Sequence, residues 1–303
     1  MSYSAPVSPS HTDFPLKGMA YAALAFFLLA VMNLLAKILN NDYGHHVIEI
    51  AFYRNLVSVI PFLVYILITK QHHLFKTQTP RALAARSVIG TMSLVITFAA
   101  FTMLPMAEVT VLLFTTTLMT PALGYFFLKE RVGPHRWSAI IIGFIGVIIM
   151  VGLQGFQGAW LGIILALIAA SMHAALGLLL RMMKQESSVT VTFYFVFTGM
   201  ILTGLCMPFY ASQPSLIALI MLTATGIAGG LAQFCLSKAF KNAPVAAVAP
   251  LNYTGLIWAS GFDILIFSLI PGWPVFLGAA IIVAANGYII YREHILRKRG
   301  QLA

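Results

Sequence analysis

"AFTMLPMAEV" at residues 100–109 and "AFKNAPVAAV" at 239–248 share Ala, Phe, Pro, Ala and Val at matching places. The same offset of 139 residues carries Gly90 onto Gly229, Leu112 onto Leu251 and Thr115 onto Thr254. "FYRNLVS" (52–58) falls opposite "FYFVFTG" (193–199), two residues out of that register. These matches read as one unit written twice; the competing reading is that any two sets of apolar helices resemble each other.

Both units are strongly apolar. Of 303 residues 60% are hydrophobic and 9% charged, with a mean hydropathy of +0.92, against about 25% charged in soluble domains. A membrane span takes about 20 mostly apolar residues. Runs of that kind between Gly, Pro and charged punctuation fall at 17–40, 46–69, 81–102, 108–128, 134–152, 158–181, 188–209, 215–239, 245–269 and 273–292. Five spans per unit is an odd number, so the second unit enters the membrane from the opposite side. The expected fold class is an all-α integral membrane protein with ten transmembrane helices in two five-helix inverted repeats (5+5). The expected divisions are a disordered polar N-terminus (1–16), repeats at 17–152 and 158–292, and a basic cytoplasmic tail (293–303).

Charge sets the orientation. Lys17, the group Lys70, Lys76, Arg81 and Arg86, then Lys129, Arg131 and Arg136 all fall around alternate connections. Arg181, Lys184, Lys238, Lys241 and the tail residues Arg292, Arg297, Lys298 and Arg299 continue the pattern. The intervening connections "NNDYGHH", "MLPMA", "QGFQG", "ASQPS" and "IPGWP" hold neither Lys nor Arg. By the positive-inside rule both termini are cytoplasmic, and the net charge of +10 reports topology, not nucleic-acid binding. Only Lys37 and Arg54 break the pattern. The run Gly18–Ala36 is too long for a signal-peptide core and reads as a retained span. Cys206 and Cys235 are placed near opposite faces, which argues against a disulfide, and no Cys/His spacing suggests a metal site.

The segments "EIAFYRNL", "LPMAEVTVLLFTTTLMTPALGYFFLKERVG", "APVAAVAPLNYTGLIWASGFDILIF" and "WPVFLGAAIIVAANGYIIYRE" resemble the EamA-type members of the drug/metabolite transporter superfamily. The resemblance spans about 18–293. It implies a ten-helix transporter for amino acids, riboflavin, S-adenosylmethionine, nucleotide-related metabolites or toxic compounds. The acidic residue that family carries after its fourth span is present as Glu130 in "LKERVG", whereas its counterpart after the ninth span reads "SLIPG".

Charges within spans are costly, so each is a candidate for function. Arg54 lies about 8 residues, roughly 12 Å, from the outer end of span 2, and Asp263 about 6 residues, roughly 9 Å, from the outer end of span 9. Their similar depth and opposite sign suggest an ion pair, either a gate on the pathway or a strut between helices. Asn252, Leu256, Ala259 and Asp263 share one helical face, with Tyr253 and Trp258 on its flank. Asn33 and Lys37 are one turn apart on span 1, where Lys37 either snorkels to the interface or meets substrate. Thr116, within "FTTTLMT", and His173, the one histidine deep in a run, complete the set. His173 offers proton coupling or plain core hydrogen bonding.

The function expected is secondary transport of a small zwitterionic or amphoteric metabolite, such as an amino acid or S-adenosylmethionine, across the inner membrane by alternating access. Transport of riboflavin or another planar metabolite, or drug efflux, is the alternative; an intramembrane enzyme or a channel is remote. No cofactor or metal is expected and no Walker A motif is present. The partners expected are a small-molecule substrate and membrane lipids, without nucleic acid, for a monomer or homodimer.

Overall fold

Prolines and serines start the helices. Pro80 and Pro134 open theirs, where a missing N–H costs nothing. Ser187 and Ser215 accept hydrogen bonds from the N–H groups of Val189 and Ala218, both at 3.2 Å, as N-caps do. The computed structural model describes residues 15–70, 76–129, 133–153, 160–183, 185–243 and 245–298, and no strand occurs among them. The helices are α1 (Pro15–Asn41), α2 (Val47–Ile68), α3 (Pro80–Met103), α4 (Met106–Leu128), α5 (Pro134–Leu153) and α6 (Trp160–Met182). They continue with α7 (Ser188–Tyr210), α8 (Leu216–Asn242), α9 (Val245–Val248), α10 (Thr254–Leu265) and α11 (Trp273–Lys298). Eight of them, α1 to α8, are long and apolar enough to cross a membrane, and α11 holds a further apolar stretch, Trp273–Ile289.

The surface is that of a protein in lipid. Phe126, Phe127, Leu205, Phe209 and Leu265 are exposed, while Asn55, Ser58, Thr91, Ser93 and Thr97 are buried. In water that distribution would be an aggregation hazard. In hydrocarbon it follows from the requirement that polar groups find partners inside the protein.

Three expectations need adjustment. The continuous span expected at 245–269 is broken: a 3₁₀ turn, Ala249–Tyr253, separates α9 from α10, and the helix stops at Leu265. Pro250 is the second residue of that turn, and its ring cannot donate to the helical ladder. The helix expected to end at 292 instead runs on to Lys298. Residues 1–14 and 299–303, which hold most of the expected disordered terminus and the end of the tail, and Glu130 lie outside the described residues.

The helices pack in pairs that reach across the chain. α1 lies along α8 and α3 along α6, while α2 packs on α7 and α5 on α11. Gly226 and Gly230 form a GxxxG face that seats α8 on α2. A Cβ at Gly226 would fall 2.4 Å from the Val57 Cβ, and the Ser58 hydroxyl donates to the Gly226 carbonyl at 2.9 Å. Such close backbone approach is how helices associate in lipid, where hydrophobic burial gives them little. Replacing Gly226 with Leu would force α8 away from α2. The expected outcome is overpacking of roughly 1–3 kcal/mol or more, read as a lower melting temperature of the detergent-purified protein. An unchanged melt would contradict this packing.

Candidate functional site

A cavity of about 400 Å³ lies among α1, α2, α3, α4, α6, α7, α8 and the 3₁₀ turn. Its size falls in the usual range for small-molecule sites, roughly 300–1,000 Å³. Its wall mixes aromatic rings (Phe26, Phe101, Phe114, Phe195) with amides, hydroxyls, His173 and two arginines. Among the sequence-derived candidates it brings together Asn33, Arg54, Thr116, His173 and Asn252. Lys37, Tyr253, Trp258 and Asp263 are not part of its lining.

Arg54 is fully buried. Its Nη1 donates to Asn55 Oδ1 at 2.8 Å, its Nε has no partner, and its guanidinium carbon sits 5.2 Å from the centroid of the Phe195 ring. Arg86 approaches the same ring at 4.7 Å, and its Nε and Nη1 are buried without partners. Glycines make the room. A Cβ at Gly229 would fall 2.8 Å from Arg54 Nε, and one at Gly90 would fall 3.0 Å from Arg86 Nη1 and 2.9 Å from the Phe195 ring. The alignment that pairs Gly90 with Gly229 thus pairs two clearances, and the one that sets "FYR" against "FYF" makes Arg54 and Phe195 counterparts that touch.

The ion pair expected between Arg54 and Asp263 does not form. Asp263 is fully buried in the last turn of α10. Its Oδ1 and Oδ2 accept the N–H groups of Met106 and Ala107 at 2.9 and 2.8 Å. The depth estimate assumed an unbroken helix to 269; with α10 ending at Leu265, Asp263 lies level with the start of α4. Lys37 also turns inward, neither snorkelling nor reaching the cavity. It is 5% exposed, donates to the Leu104 carbonyl and lies 5.0 Å from the Phe267 ring centroid. The α3–α4 turn is therefore held from both sides, a cation on the carbonyl that ends α3 and a carboxylate on the N–H groups that begin α4. Each charge matches the local end of a helix dipole. Tyr253 packs edge-on against Phe114 at 5.0 Å. Trp258 packs against Phe27 at 4.8 Å and remains 39% exposed on the outer surface of the bundle.

Two more carboxylates act in the same way. Glu49 meets His45 Nδ1 at 3.0 Å and accepts from the Ser212 hydroxyl at 2.9 Å and, more loosely, from its N–H at 3.4 Å, tying α2 to the connection after α7. Ser212 Oγ also meets His45 Nδ1, at 2.7 Å. Ser, His and Glu here are not arranged as a nucleophile triad, which uses the two different ring nitrogens of its histidine. Glu186, before α7, accepts from the Thr77 and Thr79 hydroxyls at 2.6 and 3.0 Å and from the N–H groups of Gln78 and Thr79 at 2.7 and 3.0 Å. The start of α2 thus grips the loop after α7, and the start of α7 grips the loop before α3.

Arg86 was missed in the sequence, where it counted among the basic residues of the 2–3 connection. The signal was already there: Arg86 lies five residues inside the span expected at 81–102, and α3 (Pro80–Met103) places it almost two turns in. Phe195 left no signal beyond its alignment with Arg54. Cys206 and Cys235 are both free.

Two measurements probe these anchors. Asp263→Asn turns one acceptor into an amide N–H facing a backbone N–H. It is expected to lower the melting temperature, at about 1.5–3 kcal/mol for each charged hydrogen bond lost; an unchanged melt would rule out the clamp. The hydrogen bond from Thr77, with those from Thr79 and Gln78, holds the Glu186 carboxyl below the ordinary value of 4.5. A depressed carboxylate stabilises the fold above that ordinary value and loses its contribution as pH falls through the lower, folded one. Melting should therefore fall on acidification below pH 4.5, less steeply in Glu186→Gln; identical pH profiles would exclude the contribution.

The comparisons with known proteins agree with a membrane transporter. The profile of the EamA-like transporter family matches residues 16–152 and again 160–291. An S-adenosylmethionine uptake transporter of Rickettsia bellii is 28% identical over 89% of this chain and 94% of its own length. A pseudopaline exporter of Pseudomonas aeruginosa is 24% identical over 90% of this chain and 95% of its own. A solved crystal structure superposes with a TM-score of 0.64 over 95% of this chain and 99% of its own, at 16% identity, and shares the fold.

Proposed function

The chain belongs to the EamA-like transporter family, and on that premise we propose that it is a secondary transporter of a small zwitterionic or amphoteric metabolite. An amino acid or S-adenosylmethionine is the substrate type, and the membrane is the bacterial inner membrane, with both termini cytoplasmic. The observation that carries this reading is the cavity of about 400 Å³. It joins charged and polar groups to aromatic rings at the centre of a bundle whose exterior is apolar.

The packing supports two inverted five-helix repeats, 17–152 and 158–292. Exchanging the first five helices with the second five turns the α1–α8 contact into the α6–α3 contact and returns α2–α7 and α5–α11 to themselves. The two family matches divide the chain at the same place. In this scheme α9, the 3₁₀ turn and α10 together are the ninth span, broken beside the cavity as transporter helices often are at a binding site. The two halves rock about the cavity. The α3–α4 turn, clamped by Lys37 and Asp263, closes its outer end.

Because the halves are alike, the direction of transport follows the gradient, and the relatives include both an uptake system and an exporter. No nucleotide-binding loop motif is present to supply ATP. In this reading the proton-coupling residue is His173, which lines the cavity. The chain encloses the cavity by itself, so a monomer suffices and a homodimer would leave the site unchanged. The four rings in the wall also favour a second reading, a planar metabolite such as riboflavin.

Reconstituted liposomes test this. Radiolabelled S-adenosylmethionine, amino acids and riboflavin are offered with and without an imposed pH gradient. Saturable uptake of one class, above that of empty liposomes, is expected, with the gradient dependence lost in His173→Ala. No uptake of any of them would defeat the substrate reading, and gradient dependence intact in His173→Ala would remove the coupling role.

A further inference from the structure

No carboxylate among the described residues lines the cavity. Asp263 holds the N–H groups of Met106 and Ala107, and Glu49 holds His45 and Ser212. The cavity wall contains Arg54 and Arg86 and no acidic side chain. Among the described residues neither arginine has an ion pair, and together they leave three buried guanidinium nitrogens without hydrogen-bond partners.

A guanidinium brings five N–H donors and a charge that protein conditions do not remove. Burying one without a counter-charge is strongly unfavourable, and burying two beside one ring adds their mutual repulsion. Their shared contact with Phe195 is a partial compensation at best. What the wall lacks is a compact anion with acceptor oxygens, which two planar forks are suited to hold. Asn33 adds the complementary feature, since its Oδ1 is buried without a partner on the same wall.

From this the geometry points to Arg54 and Arg86 as the pair that binds the carboxylate of the transported metabolite, with Asn33 Oδ1 accepting from its ammonium or amide N–H. The inference rests on the transport reading above and sharpens it: a free carboxylate is required, and a purely cationic or neutral analogue is rejected. Gly90 and Gly229 are then part of the site, because a side chain at either would push the guanidinium groups out of place. Phe195 sets the two forks against one flat surface, so the anion meets both.

The test uses the full chain purified in detergent and matched ligand pairs: S-adenosylmethionine with its decarboxylated analogue, and L-phenylalanine with phenethylamine. Binding is read by thermal shift and uptake in liposomes. The decarboxylated member of a pair is expected to bind at least 10-fold more weakly, and Arg86→Gln to weaken the carboxylate-bearing member about 10- to 100-fold, abolishing the discrimination. Arg54→Lys, which keeps the charge but loses the fork, is expected to weaken it less.

Ligand-free stability supplies an independent readout. Because the arginines repel each other with no anion between them, Arg86→Gln should melt at or above the wild-type temperature, as residues kept for function and not for stability do. A strut would melt lower. Equal binding of both members of a pair, or discrimination intact in Arg86→Gln, would overturn the assignment while leaving transport itself standing. If no probe binds the wild type, the ligand-free melt decides: a higher or equal value supports the site, and a drop of several degrees overturns it. Loss of all uptake with carboxylate binding retained would instead count against the transport reading.

Discussion

Inside a bilayer no water is available to receive an unpaired N–H, carbonyl or charge, and each such group costs several kcal/mol. Nearly everything in this bundle follows from that constraint. The two fully buried carboxylates, Glu49 and Asp263, are both spent on backbone or hydroxyl donors of another segment. Each one answers a helix end or a loop whose donors would otherwise be orphaned. In doing so it joins parts of the chain more than a hundred residues apart.

The clamp on the α3–α4 turn shows how this works in detail. A turn between two spans exposes carbonyls at one end and N–H groups at the other. Lys37 takes the Leu104 carbonyl, and Asp263 takes the N–H groups of Met106 and Ala107. Two charges that would be prohibitive separately are stable here, because each faces a helix end of the opposite sign. The offset of 139 places Gly124 opposite Asp263 and Leu176 opposite Lys37. Neither clamp residue therefore has a charged counterpart at that offset.

With Asp263 and Glu49 engaged and no carboxylate among the described residues lining the cavity, the arginines stand out. Among the described residues Arg54 and Arg86 have no counter-charge, and both line the cavity, where an incoming molecule could complete the pairing. Regions that violate local consistency are where function is expected. The cavity combines that electrostatic gap with four aromatic rings, so charge and shape point toward the same type of ligand.

Much of the architecture was legible in the residues. Apolar length, alternating basic connections and the echo of "AFTMLPMAEV" in "AFKNAPVAAV" located the helices to within a few residues, because the bilayer imposes its thickness and charge rule on sequence directly. Membership of the cavity was legible for Asn33, Arg54, Thr116, His173 and Asn252, each a polar group in a run that should otherwise lack them. Partners were not legible. Arg54 and Asp263 matched in depth and sign, yet the 3₁₀ turn at Pro250 and the early stop at Leu265 moved Asp263 to the helix end. Arg86 was counted with the basic residues of the 2–3 connection although it fell inside the span expected at 81–102, and only the packing showed it facing the cavity. Sequence records what each residue is and roughly how deep it lies. Which side chain meets which depends on helix rotation and breaks of a residue or two, and those are settled by packing between segments far apart in the chain.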